Sequence, residues 1–137
     1  MFRLLTFFLA LSFCGCAASR HPFAPISQSA KTVTGQVRYS GGDRAVIGDI
    51  FIAQSADGGR LEFGKGAGVS LLRVLSDKTH WRFEGPLARG AREISRSAKV
   101  PGHLVVWSQL AERPATAGNG SFSHGGEKIA YQLSPAR

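Results

Sequence analysis

Two cysteines, Cys14 and Cys16, and four histidines, His21, His80, His103 and His124, are the side chains of this 137-residue sequence best suited to redox, nucleophilic or metal chemistry. A Cys14–Cys16 disulfide is disfavoured, because so short a spacing strains the bond and nothing nearby needs stapling. A metal centre needs a convergent donor set, and these histidines are scattered along the chain, so no metal site is expected. The carboxylates Asp49, Glu62 and Glu84 alternate onto the polar sides of extended runs and read as solvated groups. Gly-x-Ser-x-Gly, His-Glu-x-x-His and a cysteine-histidine pair are missing. Gly64-Lys65-Gly66-Ala67-Gly68 has the glycines of a phosphate loop, but Lys65 is followed by Gly66 instead of Ser or Thr, and no helix opens there. A hairpin tip suits it better. The expectation is a protein that is not an enzyme and carries no cofactor.

The remaining chemistry for a cysteine is lipidation. Arg3 supplies a charged start, and Leu4 to Phe13 is an apolar run too short to span a bilayer but right for a signal-peptide core. It ends in Phe13-Cys14-Gly15-Cys16, which resembles the bacterial lipobox, with Gly15 and Cys16 at its last two positions. Phe13 and Cys14 replace the usual Leu and small residue, and Phe13 makes Cys14 the poorer acceptor. The resemblance implies cleavage before Cys16, acylation of Cys16 by more than one chain, and stable anchoring. Ala17 after the cysteine implies outer-membrane sorting. Residues 1–15 are then a signal peptide. Residues 16–31, rich in Pro, Ser and Ala, are expected to form a flexible tether.

The elements that would carry any function lie in residues 32–137. Lys and Arg exceed Asp and Glu by 8, a balance that favours anionic surfaces. The densest basic stretch, Arg89, Arg92, Arg96 and Lys99, reads either as a solvated face or as a contact for anionic lipid headgroups. From Thr32 to Gly85, five alternating runs are separated by Gly, Asp, Ser and Lys clusters, the pattern of an antiparallel meander joined by hairpins. Val33, Gly35, Val37 and Tyr39 share a face of the first run. The second, Arg44 to Gln54, is apolar on both faces, as in a strand covered on both sides. Leu61 and Phe63 face together in the third; Val69 to Ser76 is the fourth; Trp81 and Phe83 share a face of the fifth.

Pro86 to Lys99 reads as a broken helix or a long loop. Pro101 opens a helix that ends before Pro114, with Leu104, Trp107 and Leu110 or Ala111 on one stripe, and this helix is expected to lie on the sheet as a lid. His103, near its start, is read as structural or exposed. Asn119-Gly120 signals a hairpin, and Ser121-Phe122-Ser123 and Lys128 to Ser134 are a last pair of strands around His124-Gly125-Gly126. The fold class is mainly β (α+β): a curved antiparallel sheet, or half-open β-barrel, with a helical lid. Val37, Tyr39, Ile50, Ile52, Leu61, Phe63, Leu72, Val74, Trp81 and Phe83, with Leu104 and Trp107 from the helix, are either an ordinary core or the lining of an apolar concavity for acyl chains.

The run TGQVRYSGGDRAVIGDIFIAQSADGGRLEFGKGAGVSLLRV resembles the opening strands of the outer-membrane lipoprotein receptor family (LolB) and of its periplasmic carrier relative (LolA), and GHLVVWSQL resembles that family's lid helix, with Trp107 at its aromatic position. The likeness spans about Thr34 to Leu110 and departs from the family in lacking a helix before the first strand and in its short tail. It implies a half-open barrel that binds lipoprotein acyl chains and helps localise lipoproteins to the outer membrane. It further implies a periplasm-facing, lipid-anchored position, a periplasmic carrier protein as a further partner, and no nucleic acid. Gly66, Ala67 and Gly68 would be the membrane-facing loop, without the apolar Leu the family carries there. The alternative is a structural or scaffolding lipoprotein whose sheet packs only its own helix, with the basic patch on anionic headgroups.

Overall fold

The computed structural model describes residues 20–66 and 68–137. The expected signal peptide (residues 1–15), Cys16, the first part of the expected tether and Ala67 lie outside the described residues. Eight strands form a single antiparallel sheet in the order β6-β5-β4-β3-β2-β1-β8-β7. The meander is β1 (Lys31–Gly41), β2 (Arg44–Ser55), β3 (Gly58–Gly64), β4 (Ser70–Ser76), β5 (His80–Glu84) and β6 (Arg92–Ser95). A 3-10 turn (Gly102–Leu104) leads into α1 (Val105–Glu112), followed by β7 (Gly118–His124) and β8 (Glu127–Pro135). No described helix is long and apolar enough to cross a membrane.

The expected meander is present, with two-residue links at Gly42-Asp43 and Ala56-Asp57 setting the register of β1 on β2 and β2 on β3. Four expectations are corrected. The basic stretch after Pro86 is neither a broken helix nor a plain loop: Pro86–Ala88 makes a 3-10 turn and Arg92–Ser95 pairs with β5. Its one apolar residue, Ile94, sits opposite Trp81, too little alternation to read as a strand. Asn119-Gly120 lies inside β7, and the hairpin turns at Gly125 and Gly126, both with positive φ (56° and 83°). A type I′ turn needs positive φ at both central residues, which two glycines supply without steric cost. β2 is covered on one face only toward its start, since Ile47 is 59% exposed. Pro101 precedes the first helical turn as its cap residue, and the first turn is 3-10.

The topology explains the helix. β6 and β7 are the two edges of the sheet, so the chain between them must travel from one edge to the other. α1 makes that crossing over the inner face and packs on β3 and β4 on one side and on β7 and β8 on the other. A sheet that brings those strands to one short helix is curved and unclosed. Val37, Ile50, Ile52, Leu61, Phe63, Leu72, Val74, Trp81 and Phe83 all point into the curve and are buried, as are Leu104, Val106, Trp107 and Leu110 from the helical segment. Each such side chain contributes about 1.5–3 kcal/mol on leaving water, so this layer supplies most of the drive to fold. On the outer face the register sets Glu62 against Arg73, Arg73 against Glu84 and Arg82 against Glu93. Opposite charges directly across a sheet support pairing.

Candidate functional site

The residues read as either ordinary core or the lining of an acyl cavity share one face, and α1 fills the space between them. Trp107 is fully buried, with its ring centroid 5.3 Å from Tyr39 and 4.9 Å from Phe63. Trp81 and Phe83 stack 5.7 Å apart deeper along the same face. Of the predicted lining, only Tyr39 is partly exposed.

Tyr39 marks where open space begins. A cavity of about 620 Å³ lies at the end of the sheet where β1 turns into β2, β5 gives way to the Pro86–Ala88 turn, and β7 turns into β8. Its apolar walls are Tyr39, Val46, Leu71 and Leu87; its polar ones include Arg44, Arg89, His103 and Glu127. This is the mouth of the half-barrel. The hairpin carrying Gly66 and Gly68 turns at the same end, because β3 runs toward it and β4 away from it. Beside that tip Val69 is 53% exposed, so the hairpin does carry apolar bulk, one position after the predicted Gly66-Ala67-Gly68. On the outer face below it, Thr34, Gln36, Asp49, Phe51 and Glu62 line a second, shallower groove of about 660 Å³.

Polar chemistry at the mouth is incompletely paired. His103 Nε2, Glu127 Oε2 and Trp107 Nε1 are buried without a protein hydrogen-bond partner. A buried polar group left unpaired costs about 1–3 kcal/mol. Burial first, then the Glu127 carboxylate beside it, push the Tyr39 phenol above its ordinary range, with Arg89 opposing. Gly41 leaves room for this pair, since a Cβ there would meet the Tyr39 hydroxyl at 2.6 Å and Glu127 Cγ at 3.2 Å. Arg89 sits at the rim in the left-handed region (φ 56°, ψ 47°), a conformation that costs a non-glycine residue about 1–3 kcal/mol. His103, read from the sequence as structural or exposed, is a half-buried wall of this mouth. That it shares this wall with Glu127 was not legible, because the two are far apart in the chain and no spacing links them.

The basic patch is not one face. Arg96 stacks over Trp81 at 4.3 Å and pairs with Glu112 at 3.1 Å, while Arg89, Arg92 and Lys99 are exposed. Glu62 and Glu84, expected to be solvated, are half-buried: Glu62 accepts from Arg60 at 2.6 Å and Arg73 at 3.1 Å, and Glu84 lies 3.9 Å from both Arg73 and Arg82. Burial pushes the Glu62 carboxyl up, but Arg60 and Arg73 outweigh it and hold the group below its usual range.

At the opposite end of the sheet, part of the predicted tether is docked. The His21 N–H donates to Glu93 (2.8 Å), Arg82 donates to the His21 carbonyl (2.8 Å) and stacks over Phe23 at 4.8 Å. His21 Nε2 bonds Asp77, and the His21 and His80 rings stack at 3.8 Å. Two histidines that looked distant in the sequence are therefore neighbours. Burial raises the Asp77 carboxyl, but hydrogen bonds from His21, Thr79 and the His80 backbone outweigh it and hold the group well below the usual aspartate range. A carboxyl depressed in the folded state stabilises above its unfolded pKa and stops doing so as pH falls through the folded one. Stability in urea should therefore decline as pH drops below about 4. Asp77→Asn should flatten that acid limb; an unchanged limb would show that Asp77 is not its source.

No protein-family model matches this chain, and no curated protein matches it.

Proposed function

We propose that the protein is a lipid-anchored, periplasm-facing lipoprotein of the outer membrane that binds lipoprotein acyl chains at the mouth of its half-barrel and helps localise lipoproteins there. The observation that carries this reading is the 620 Å³ mouth, with its apolar walls and the unpaired polar atoms of His103 and Glu127. That volume is within the range of small-molecule sites, which join mostly apolar walls to a few polar groups. An amphiphile suits it: the chain lies on Val46, Leu71 and Leu87, and the head meets Arg44, Arg89, His103 and Glu127. Each buried methylene contributes about 0.8 kcal/mol, so a shallow mouth holds a chain less firmly than a bilayer does, as release into a membrane requires. Anchoring through Cys16 is part of this proposal and rests on the lipobox resemblance.

The soluble domain without residues 1–16 is expected to bind a fluorescent fatty-acyl probe that unlabelled lipid displaces. Leu71→Glu and Leu87→Glu, each placing a charge on the apolar wall, should weaken the probe at least tenfold. Absence of displaceable binding at micromolar protein rejects the proposal.

One observation favours a second reading. The concave face is packed by Trp107, Leu104 and Leu110, as in a scaffolding lipoprotein whose sheet serves only its own helix. On that reading the domain binds no probe, and it adheres to anionic liposomes in a salt-sensitive way that is lost in Arg89→Glu with Arg92→Glu.

A further inference from the structure

We propose that His21, Asp77 and His80 form a binding site for a divalent transition-metal ion that clamps the N-terminal segment to the sheet. Their donor atoms all lie within 4.8 Å of one another. Zinc bonds of about 2.0–2.2 Å place tetrahedral donors roughly 3.3 Å apart, so a modest rotation of side chains closes the set around an ion. Two imidazoles and one carboxylate select zinc, copper, nickel or iron over calcium and magnesium, which prefer all-oxygen shells.

The hydrogen bonds around the three residues are those of a prepared ligand set. Asp77 Oδ1 accepts from the Thr79 N–H (2.8 Å), the Thr79 hydroxyl (3.0 Å) and the His80 N–H (2.7 Å), which fixes the carboxylate and turns Oδ2 toward His21. The Thr79 hydroxyl has one proton and gives it to Asp77, so at its 2.8 Å contact with His80 Nδ1 it accepts. His80 is therefore protonated at Nδ1, and its Nε2 carries the free lone pair. A ligating histidine characteristically donates its other ring nitrogen to such an outer partner, which fixes the tautomer and the ring. His21 is positioned by the edge of the Phe23 ring, 4.8 Å away, and from the sheet, where Glu93 holds its N–H and Arg82 its carbonyl. The site thus joins a residue in the segment that precedes β1 to the β4–β5 turn.

The consequence is positional. β1 begins and β4 ends at the end of the sheet opposite the mouth. A metal clamp there sets where the segment from the lipid anchor leaves the domain, and holds that segment away from the mouth. This inference stands whether or not the mouth takes lipid.

The test uses the full chain in detergent micelles, apo after chelation, titrated with Zn²⁺ by calorimetry. One ion per chain is expected. His21→Gln and His80→Gln should each weaken it at least tenfold, and Thr79→Val, which removes only the outer partner of His80, by about tenfold. His124→Gln, on the distant β7–β8 hairpin, should bind as the parent does. Asp77→Asn is informative only where circular dichroism shows the fold retained, because Asp77 also holds its turn; the histidine variants do not share that role. Zn²⁺ should also slow tryptic cleavage after Arg20 several-fold in the parent and not in His21→Gln. Zinc uptake that is absent, or equal in the parent and both histidine variants, overturns the proposal.

Discussion

Trp107→Ala is expected to lower stability by about 3–5 kcal/mol, read as a fall in the urea midpoint at unchanged slope. Trp107 is the largest fully buried side chain and touches β1 through Tyr39 and β3 through Phe63. The walls around it are backbone-anchored strands that cannot collapse inward, so most of the vacated volume stays as a cavity, and cavity volume adds to the lost transfer energy. The indole N–H lowers the parent's own stability, since it has no protein partner, which places the expected loss toward the lower half of the range. The same variant separates the two functional readings. If the mouth takes acyl chains, the space left by Trp107 extends the cavity inward and the variant binds the probe more tightly than the parent does. If the sheet only packs its helix, the variant loses stability and gains no binding.

Gln54→Leu is expected to cost about 2–3 kcal/mol, although it keeps the volume of the side chain. The reason begins with Pro114. A proline disfavours the helical conformation in the residue before it, and Arg113 is accordingly extended (φ −60°, ψ 139°). The helix stops there and leaves its last carbonyls without intrahelical partners. Gln54 on β2 supplies them: its amide donates to Ala111 O (2.7 Å) and Arg113 O (2.5 Å), and its carbonyl accepts from the Ala115 N–H (2.8 Å). Leucine offers none of these, and a buried group left unpaired costs about 1–3 kcal/mol. Hydrogen exchange at the Ala115 amide should accelerate in step with the stability loss. If both stay at parent values, the clamp contributes nothing to holding α1 on the sheet.

Much of the fold was legible because period-two alternation is a local property. Val33, Val37, Ile50, Ile52, Leu61, Phe63, Leu72, Val74, Trp81 and Phe83 were assigned to one face by counting, and they share it. Turn clusters of Gly or Asp located the first four hairpins of the meander, and two prolines bracketed the helix. Two local signals competed near the last hairpin: the strands were placed around His124-Gly125-Gly126, where the turn lies, but Asn119-Gly120 also signalled a hairpin and instead lies inside β7. Gly125-Gly126 won because it lets Ile129 and Leu133 of β8 enter the core beside β1.

The amino-acid sequence by itself determined most of the strands, their inward residues and the lid helix, because each is written in spacing along a few neighbouring residues. The tertiary structure alone decided that β8 pairs with β1, that the chain must then cross the curve from edge to edge, and that the crossing buries Trp107 between Tyr39 and Phe63. It also decided that open space survives at the mouth, between residues as distant as Tyr39, His103 and Glu127, and that His21 meets Asp77 and His80. Such meetings depend on which strand pairs with which, and that choice is made by burial across the whole sheet, which no local pattern records.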